Sequence, residues 1–132
     1  MKLFITGEKG FIGRNLIARS KLFDIEVVNE GVSKYDNYFT KWSEKKEPCV
    51  HGNSIDHWVN FFKSEKIDVI IHNAAVVGTD VVALNAKEST LTNVEGTYTI
   101  CRAARKLDIP VCYMGTTVIY DTKNYQSKQI EE

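Results

Sequence analysis

The sequence predicts an α/β fold: a doubly wound parallel sheet of about five strands in the order 3-2-1-4-5. Three observations carry this expectation. Short apolar runs alternate with helical patterns along the chain, the rhythm of strands joined by crossover helices. A turn with glycines at 7, 10 and 13 follows the first apolar run directly. A later run, "IDVIIHNAAVV" (67–77), is apolar enough for a strand covered on both faces. At 132 residues the chain has room for one core, so a single domain spanning 1–132 is expected.

The elements follow in order. "KLFIT" (2–6) is the first strand, and Phe11, Ile12, Leu16 and Ile17 recur at helical spacing behind it. "IEVVN" (25–29) is the second strand. Tyr35, Tyr38, Phe39 and Trp42 stand at i, i+3, i+4 and i+7, the stripe of an amphipathic helix that Pro48 ends. "PCVHG" supplies only a short third strand. Asn53 or Ser54 caps a helix that buries Ile55, Trp58, Val59 and Phe62. Residues 67–77 form the fourth strand. A helix from about Thr90 to Leu107 carries Val94, Thr97, Ile100, Cys101 and Ala104 on one side, and "IPVCYMG" (109–115) is the fifth strand. From Thr116 the chain turns polar, and no further apolar element follows before Glu132. Right-handed crossovers between parallel strands then give the stated order.

Composition narrows the class. Apolar residues make up 43% and charged residues 26%, which suits a packed globular chain rather than a disordered one. Seventeen basic side chains cancel seventeen acidic ones, so nothing marks a nucleic acid or an anionic membrane as partner. Cys49, Cys101 and Cys112 are odd in number and lack metal-binding spacing, so no metal is expected and the three read as reduced, half-buried thiols. No apolar run approaches the ~18 residues of a membrane span, and no signal-peptide pattern opens the chain. A soluble, cytoplasmic protein is expected.

The glycine turn carries the first chemical signal. A dinucleotide pyrophosphate needs backbone N–H groups aimed at it, and a helix start supplies them with partial positive charge. Gly7 permits the tight turn, Gly10 removes the Cβ that would keep phosphates away, and Gly13 lets the helix pack closely on the sheet. The spacing is G-x-x-G-x-x-G, so it matches the dinucleotide fingerprint by mechanism rather than by letter.

"TGEKGFIG" (6–13) resembles the TGxxGxxG signature of short-chain dehydrogenases/reductases, in their extended, nucleotide-sugar epimerase/dehydratase branch. "DVIIHNAA" (68–75) is similar to that branch's D-V-x-x-H-x-A-A, and "NVEGTYTICRAARK" (93–106) to its N-V-x-G-T segment followed by a pair of alanines. "VCYMGTTVIYD" (111–121) is similar to its V-x-Y-x-S-S-x-x-V-Y-G. The resemblance implies a Rossmann-like, NAD-binding sheet. It implies that Gly7, Gly10 and Gly13 hold the pyrophosphate, with backbone N–H groups from Phe11 and Ile12. Ala74 and Ala75 would lie along the adenosine and the nicotinamide-side ribose, and Asn93 would shape the site. Thr116 would be the catalytic Ser/Thr, although a polar residue capping a strand end also accounts for it. For His72, in its apolar strand, core packing is the expected role.

The ribose 2′-OH is read by an acid at the end of the second strand. Glu30 fits best, with Asn29 next. A carboxylate there accepts both ribose hydroxyls and repels a 2′-phosphate, which favours NAD over NADP. Lys34 is the cation that would serve a 2′-phosphate. Two departures bear on affinity. Asn53 stands where the branch usually has an acid contacting adenine, and its amide oxygen still accepts. Glu8 places a carboxylate in the phosphate turn, with Lys9 and Arg14 nearby to offset it or solvent to take it.

The branch's base is a tyrosine in Y-x-x-x-K, and these 132 residues contain no such pair. Tyr113 is followed four residues on by Thr117, Tyr120 by Asn124, and Tyr125 by Gln129. A missing general base costs roughly 10²–10⁴ in rate. The chain is therefore expected to be truncated before the catalytic Tyr-x-x-x-Lys helix, to lack the sugar-binding lobe, and to be inactive alone. Three functions stay open. The chain is the NAD-binding portion of an epimerase, dehydratase or reductase, acting on a nucleotide sugar only with the remainder present. Or it is a short NAD(H)-binding protein without catalysis. Or it is an interaction protein that pairs with itself or a partner through the exposed fifth-strand edge.

Overall fold

The residues "KLFIT" put Leu3, Phe4, Ile5 and Thr6 out of water, and the strand they form, β1 (Lys2–Thr6), is an inner strand of the sheet. The structure is a computed structural model and describes residues 1–28 and 54–115. In it β1 pairs in parallel with β2 (Glu26–Val28) on one side and with β3 (Val69–His72) on the other. β3 pairs in turn, also in parallel, with β4 (Val111–Tyr113). The order β2-β1-β3-β4 reverses direction at β1, which is the doubly wound α/β arrangement expected. The expected strand at 48–52 and the helix through Tyr35 and Trp42 lie outside the described residues, leaving four strands among those described.

One face of the sheet is covered by α2 (Ile55–Glu65) and α5 (Thr97–Arg105). Ser54 is the cap that starts α2, its Oγ accepting the His57 N–H at 3.1 Å. Lys66, at φ 56°, ends the helix, and the Ile67 N–H returns to the Phe62 carbonyl. Between those stops the helix buries Trp58 and Phe62 against Phe4, whose ring centroid lies 5.5 Å from Trp58 and 5.4 Å from Phe62. Ile70 of β3 and Ile100, Ala103 and Ala104 of α5 complete this core. Burying each large side chain contributes about 1.5–3 kcal/mol.

Three expectations are corrected. β3 is four residues long, not eleven, and only its Ile70 and His72 face is fully buried. On α1 (Phe11–Ser20) Leu16 and Ile17 are half-buried, but Phe11 and Ile12 are exposed, because the first turn starts beyond the end of β1 and overhangs the sheet. The helix expected from Thr90 is in three parts. α4 (Ala86–Thr90) runs into a π-turn (Leu91–Gly96), which leads into α5, and a short α3 (Thr79–Leu84) precedes them. The wider π-turn shifts the helical phase, so Val94 points to solvent at 61% exposure while Ile100 stays buried. Cys101 is half-buried as expected, whereas Cys112 on β4 is exposed; Cys49 lies outside the described residues.

Phe62→Ala is expected to lower unfolding free energy by about 3–5 kcal/mol, because the ring is fully enclosed and its neighbours are fixed to the sheet. Urea denaturation followed by Trp58 and Trp42 fluorescence measures it.

Candidate dinucleotide site

At the carboxyl ends of β1 and β3 the chain leaves the sheet twice, and the two departures pack against each other. Gly7 has φ 67°, in the left-handed region that a Cβ disfavours. Space forbids a side chain there as well, since a Cβ would lie 2.9 Å from both the Ala74 nitrogen and the Asn73 carbonyl carbon. At Gly13 a Cβ would stand 2.4 Å from the Gly7 oxygen and 2.5 Å from the Glu8 Cα. The crowding that requires glycine at 13 is thus against the turn itself, not against the sheet. Gly10 differs: its Cβ would meet only the Gly7 carbonyl, at 3.2 Å.

Gly10 is the N-cap of α1, and its N–H closes the turn onto the Gly7 carbonyl at 3.0 Å. The first bond of the helix runs from the Arg14 N–H to the Gly10 carbonyl. The N–H groups of Phe11, Ile12 and Gly13 therefore precede the ladder, and no acidic residue sits in that first turn. This is the arrangement that receives an anion.

Across from the turn, a hydrogen-bonded chain fixes residues 73–76. The Thr6 Oγ1 accepts the N–H of Asn73 at 3.1 Å and of Ala74 at 3.0 Å. It also lies 2.7 Å from the His72 Nδ1. The other ring nitrogen, Nε2, is 2.9 Å from the Thr97 Oγ1, which donates to the Asn93 carbonyl at 2.8 Å. The Asn93 side chain then grips Val76 twice: its Oδ1 accepts the Val76 N–H at 2.8 Å and its Nδ2 donates to the Val76 carbonyl at 2.9 Å. His72 is 1% exposed, and burial pushes its pKa down from 6.5 to about 4. Its ring stacks on Tyr113 of β4, centroids 5.9 Å apart.

The structure therefore brings Gly7, Gly10, Gly13, Phe11 and Ile12 together with Ala74, which is buried, and Ala75, which is exposed. Asn93 reaches the same segment through Val76. Glu30, Asn53 and Thr116, named from the sequence, lie outside the described residues. Thr6 and Thr97 were missed as site residues. The available signals were a threonine closing an apolar strand just before a glycine, and a second threonine one helical turn after Asn93.

These residues fit a dinucleotide. The three leading N–H groups suit a pyrophosphate, and Gly10 leaves the approach open. The Asn73 amide, with both polar atoms buried and no hydrogen-bond partner among the described residues, offers a donor and an acceptor beside the turn.

Comparison with known proteins points the same way. The sequence model of the NAD dependent epimerase/dehydratase family matches residues 3–132. Human dTDP-D-glucose 4,6-dehydratase is 27% identical over 139 aligned residues, which cover 90% of this chain and 37% of that protein. The chain thus spans a little over a third of the relative's length. Among solved structures, the UDP-rhamnose synthase of Acanthamoeba polyphaga mimivirus superposes with a TM-score of 0.68 at 18% identity, covering 96% of this chain and 41% of that one. The UDP-glucose-4-epimerase of Stenotrophomonas maltophila, solved with bound NAD and formylated UDP-arabinopyranose, gives 0.65 at 15% identity, over 91% of this chain and 38% of that one. At such identities the superpositions establish the fold.

Two outcomes are expected. Because protonation of His72 is suppressed in the folded state, its contribution to stability is complete above pH ~6.5 and is lost as the pH falls towards 4, by about 3 kcal/mol in all. Urea midpoints from pH 7.5 to 4 should show this, and His72→Gln, less stable at neutral pH, should show a flatter acid limb. Gly13→Ala is expected to lower the melting temperature more than Gly10→Ala, since only the former drives a Cβ into fixed backbone.

Proposed function

Because the chain belongs to the NAD dependent epimerase/dehydratase family, we propose that residues 1–132 form the cofactor-holding portion of an oxidoreductase acting on nucleotide sugars. The observation that carries the reading is the close approach of the glycine turn to residues 73–76 at the carboxyl ends of β1 and β3. In this reading Gly7, Gly10 and Gly13 shape the pyrophosphate cradle, and Phe11 and Ile12 lend N–H groups. Ala74 and Ala75 border the bound dinucleotide, and Asn93 holds their segment in place. Glu30 reads the ribose hydroxyls and favours NAD over NADP, and Asn53 accepts from the adenine amino group. Thr116 bonds a reacting sugar oxygen. When bound, the nicotinamide supplies a hydride acceptor and donor.

These residues constitute one domain, incomplete relative to the family. They contain no Y-x-x-x-K, so no general base of that kind is present to take a sugar hydroxyl proton. The reading is of a chain that holds NAD without turning sugar over unless further protein supplies that base and a sugar pocket. A second reading, a non-catalytic NAD(H)-binding or interaction protein, draws on the exposed Tyr113 and Met114 at and beside the outer strand β4. Among the described residues no helix is long and apolar enough to cross a membrane.

Titration calorimetry tests the proposal. Purified 132-residue protein is expected to bind NAD with a Kd on the order of 1 μM, about −8 kcal/mol, and NADP at least about tenfold more weakly. Glu30→Gln is expected to weaken NAD about tenfold and to narrow the gap to NADP. UDP- and dTDP-sugars are expected to remain unchanged with the chain and NAD alone. No heat with either dinucleotide would overturn the cofactor reading, and turnover by the isolated chain would overturn the inactivity.

A further inference from the structure

We infer that His72 is a positioning residue: through the hydroxyls of Thr6 and Thr97 it fixes both ends of segment 73–76, the ledge on which a dinucleotide would rest. The inference rests on the proposed function for its ligand, and on geometry for its mechanism.

The direction of every bond in the chain follows from counting hydrogens. A threonine hydroxyl has one proton to give and two lone pairs to receive with. The Thr6 oxygen already receives the Asn73 and Ala74 N–H groups, so its own proton has one place left, the His72 Nδ1 at 2.7 Å. That nitrogen must be bare. A neutral ring then carries its proton on Nε2 and donates it to the Thr97 Oγ1 at 2.9 Å. Thr97 passes its proton to the Asn93 carbonyl at 2.8 Å, one helical turn back. The side chain of that same Asn93 holds the Val76 N–H and carbonyl. Segment 73–76 is thus tied at one end through Thr6 and at the other through Asn93, with the imidazole spanning the two anchors.

The π-turn belongs to this arrangement. It places Asn93 within reach of Val76 and Thr97 within reach of His72, and such turns recur at functional sites. The groups facing the ring are Thr6 of β1, Thr97 of α5 and the phenol of Tyr113 on β4. A second proton on the ring would set an N–H against the Thr6 O–H. Thr6 would then have to release Asn73 or Ala74 to accept it.

Three measurements on the 132-residue protein decide the matter. Nitrogen-15 spectra of the histidine-labelled protein should show an unprotonated Nδ1 and a protonated Nε2 on His72 at pH 7. Thr97→Val, which keeps the shape and removes the hydroxyl, should weaken NAD binding about tenfold. Thr97→Ser should bind within about twofold of wild type. Amide exchange at Ala74 and Val76 should quicken about tenfold in Thr97→Val, while exchange at Ile70 in the adjacent core stays unchanged. The opposite tautomer would overturn the inference. So would equal affinities in the two Thr97 variants, or a uniform rise in exchange that includes Ile70. Failure of the wild-type protein to bind any dinucleotide would defeat the proposed function instead. Ring nitrogens and amide exchange in the free protein would still decide whether His72 positions this segment.

Discussion

A single hydroxyl oxygen, that of Thr6, gathers the groups that meet where the sheet ends and the site begins. It accepts the N–H groups of Asn73 and Ala74, the first shared with the Thr6 main-chain carbonyl at 3.3 Å. β3 ends at His72, and the following residues leave the strand. They do so directly beside Gly7, where β1 makes its own departure and where the missing Cβ admits the Asn73–Ala74 backbone. A crevice at the carboxyl ends of two neighbouring parallel strands is the general consequence of a sheet whose order reverses there.

The same face of the sheet serves two purposes along its length. Phe4 and Ile70 sit among Trp58, Phe62 and Ile100, an enclosure that is apolar among the described residues apart from the buried Trp58 indole N–H. Two residues further along each strand, Thr6 and His72 occupy the equivalent positions and replace apolar packing with hydrogen bonds. Buried polar groups of this kind are costly unless every partner is present, and fully matched they permit one arrangement only. The aromatic enclosure therefore supplies stability at one end of the strands while the threonine–histidine chain supplies a unique geometry at the other.

Much of this was legible in the residues. "KLFIT" has the length and apolarity of a central parallel strand, and it is β1 to the residue. Ser54 three residues before His57 is a recognisable cap, and Trp58 and Phe62 at i, i+4 declare their helix face. The glycine spacing marks a helix start that leaves its first N–H groups to a ligand. What could not be read are the features that depend on contacts between distant segments. The run 67–77 is largely apolar, so nothing within it signals that its strand stops at His72 or that Thr6, 66 residues away, will bond that ring. Val94 fits the inward stripe of an ideal helix, and only the π-turn beneath it, built around Asn93 and Thr97, rotates it to solvent. His72 reads as a core residue and is one, yet its two nitrogens have partners that its neighbours in sequence do not reveal.

The placement of β1 between β2 and β3 has a consequence in time. Leu3 pairs early with Val27 but must wait for Val69, and α5, which completes the core, ends only at Arg105. On a ribosome adding roughly 5–20 residues per second, the 66 residues between Thr6 and His72 correspond to an interval of about 3–13 s. During that interval β1 has β2 to pair with on one side, while its other edge stays open for β3. A chain of this design therefore makes an inner strand well before the strand that pairs with its second edge.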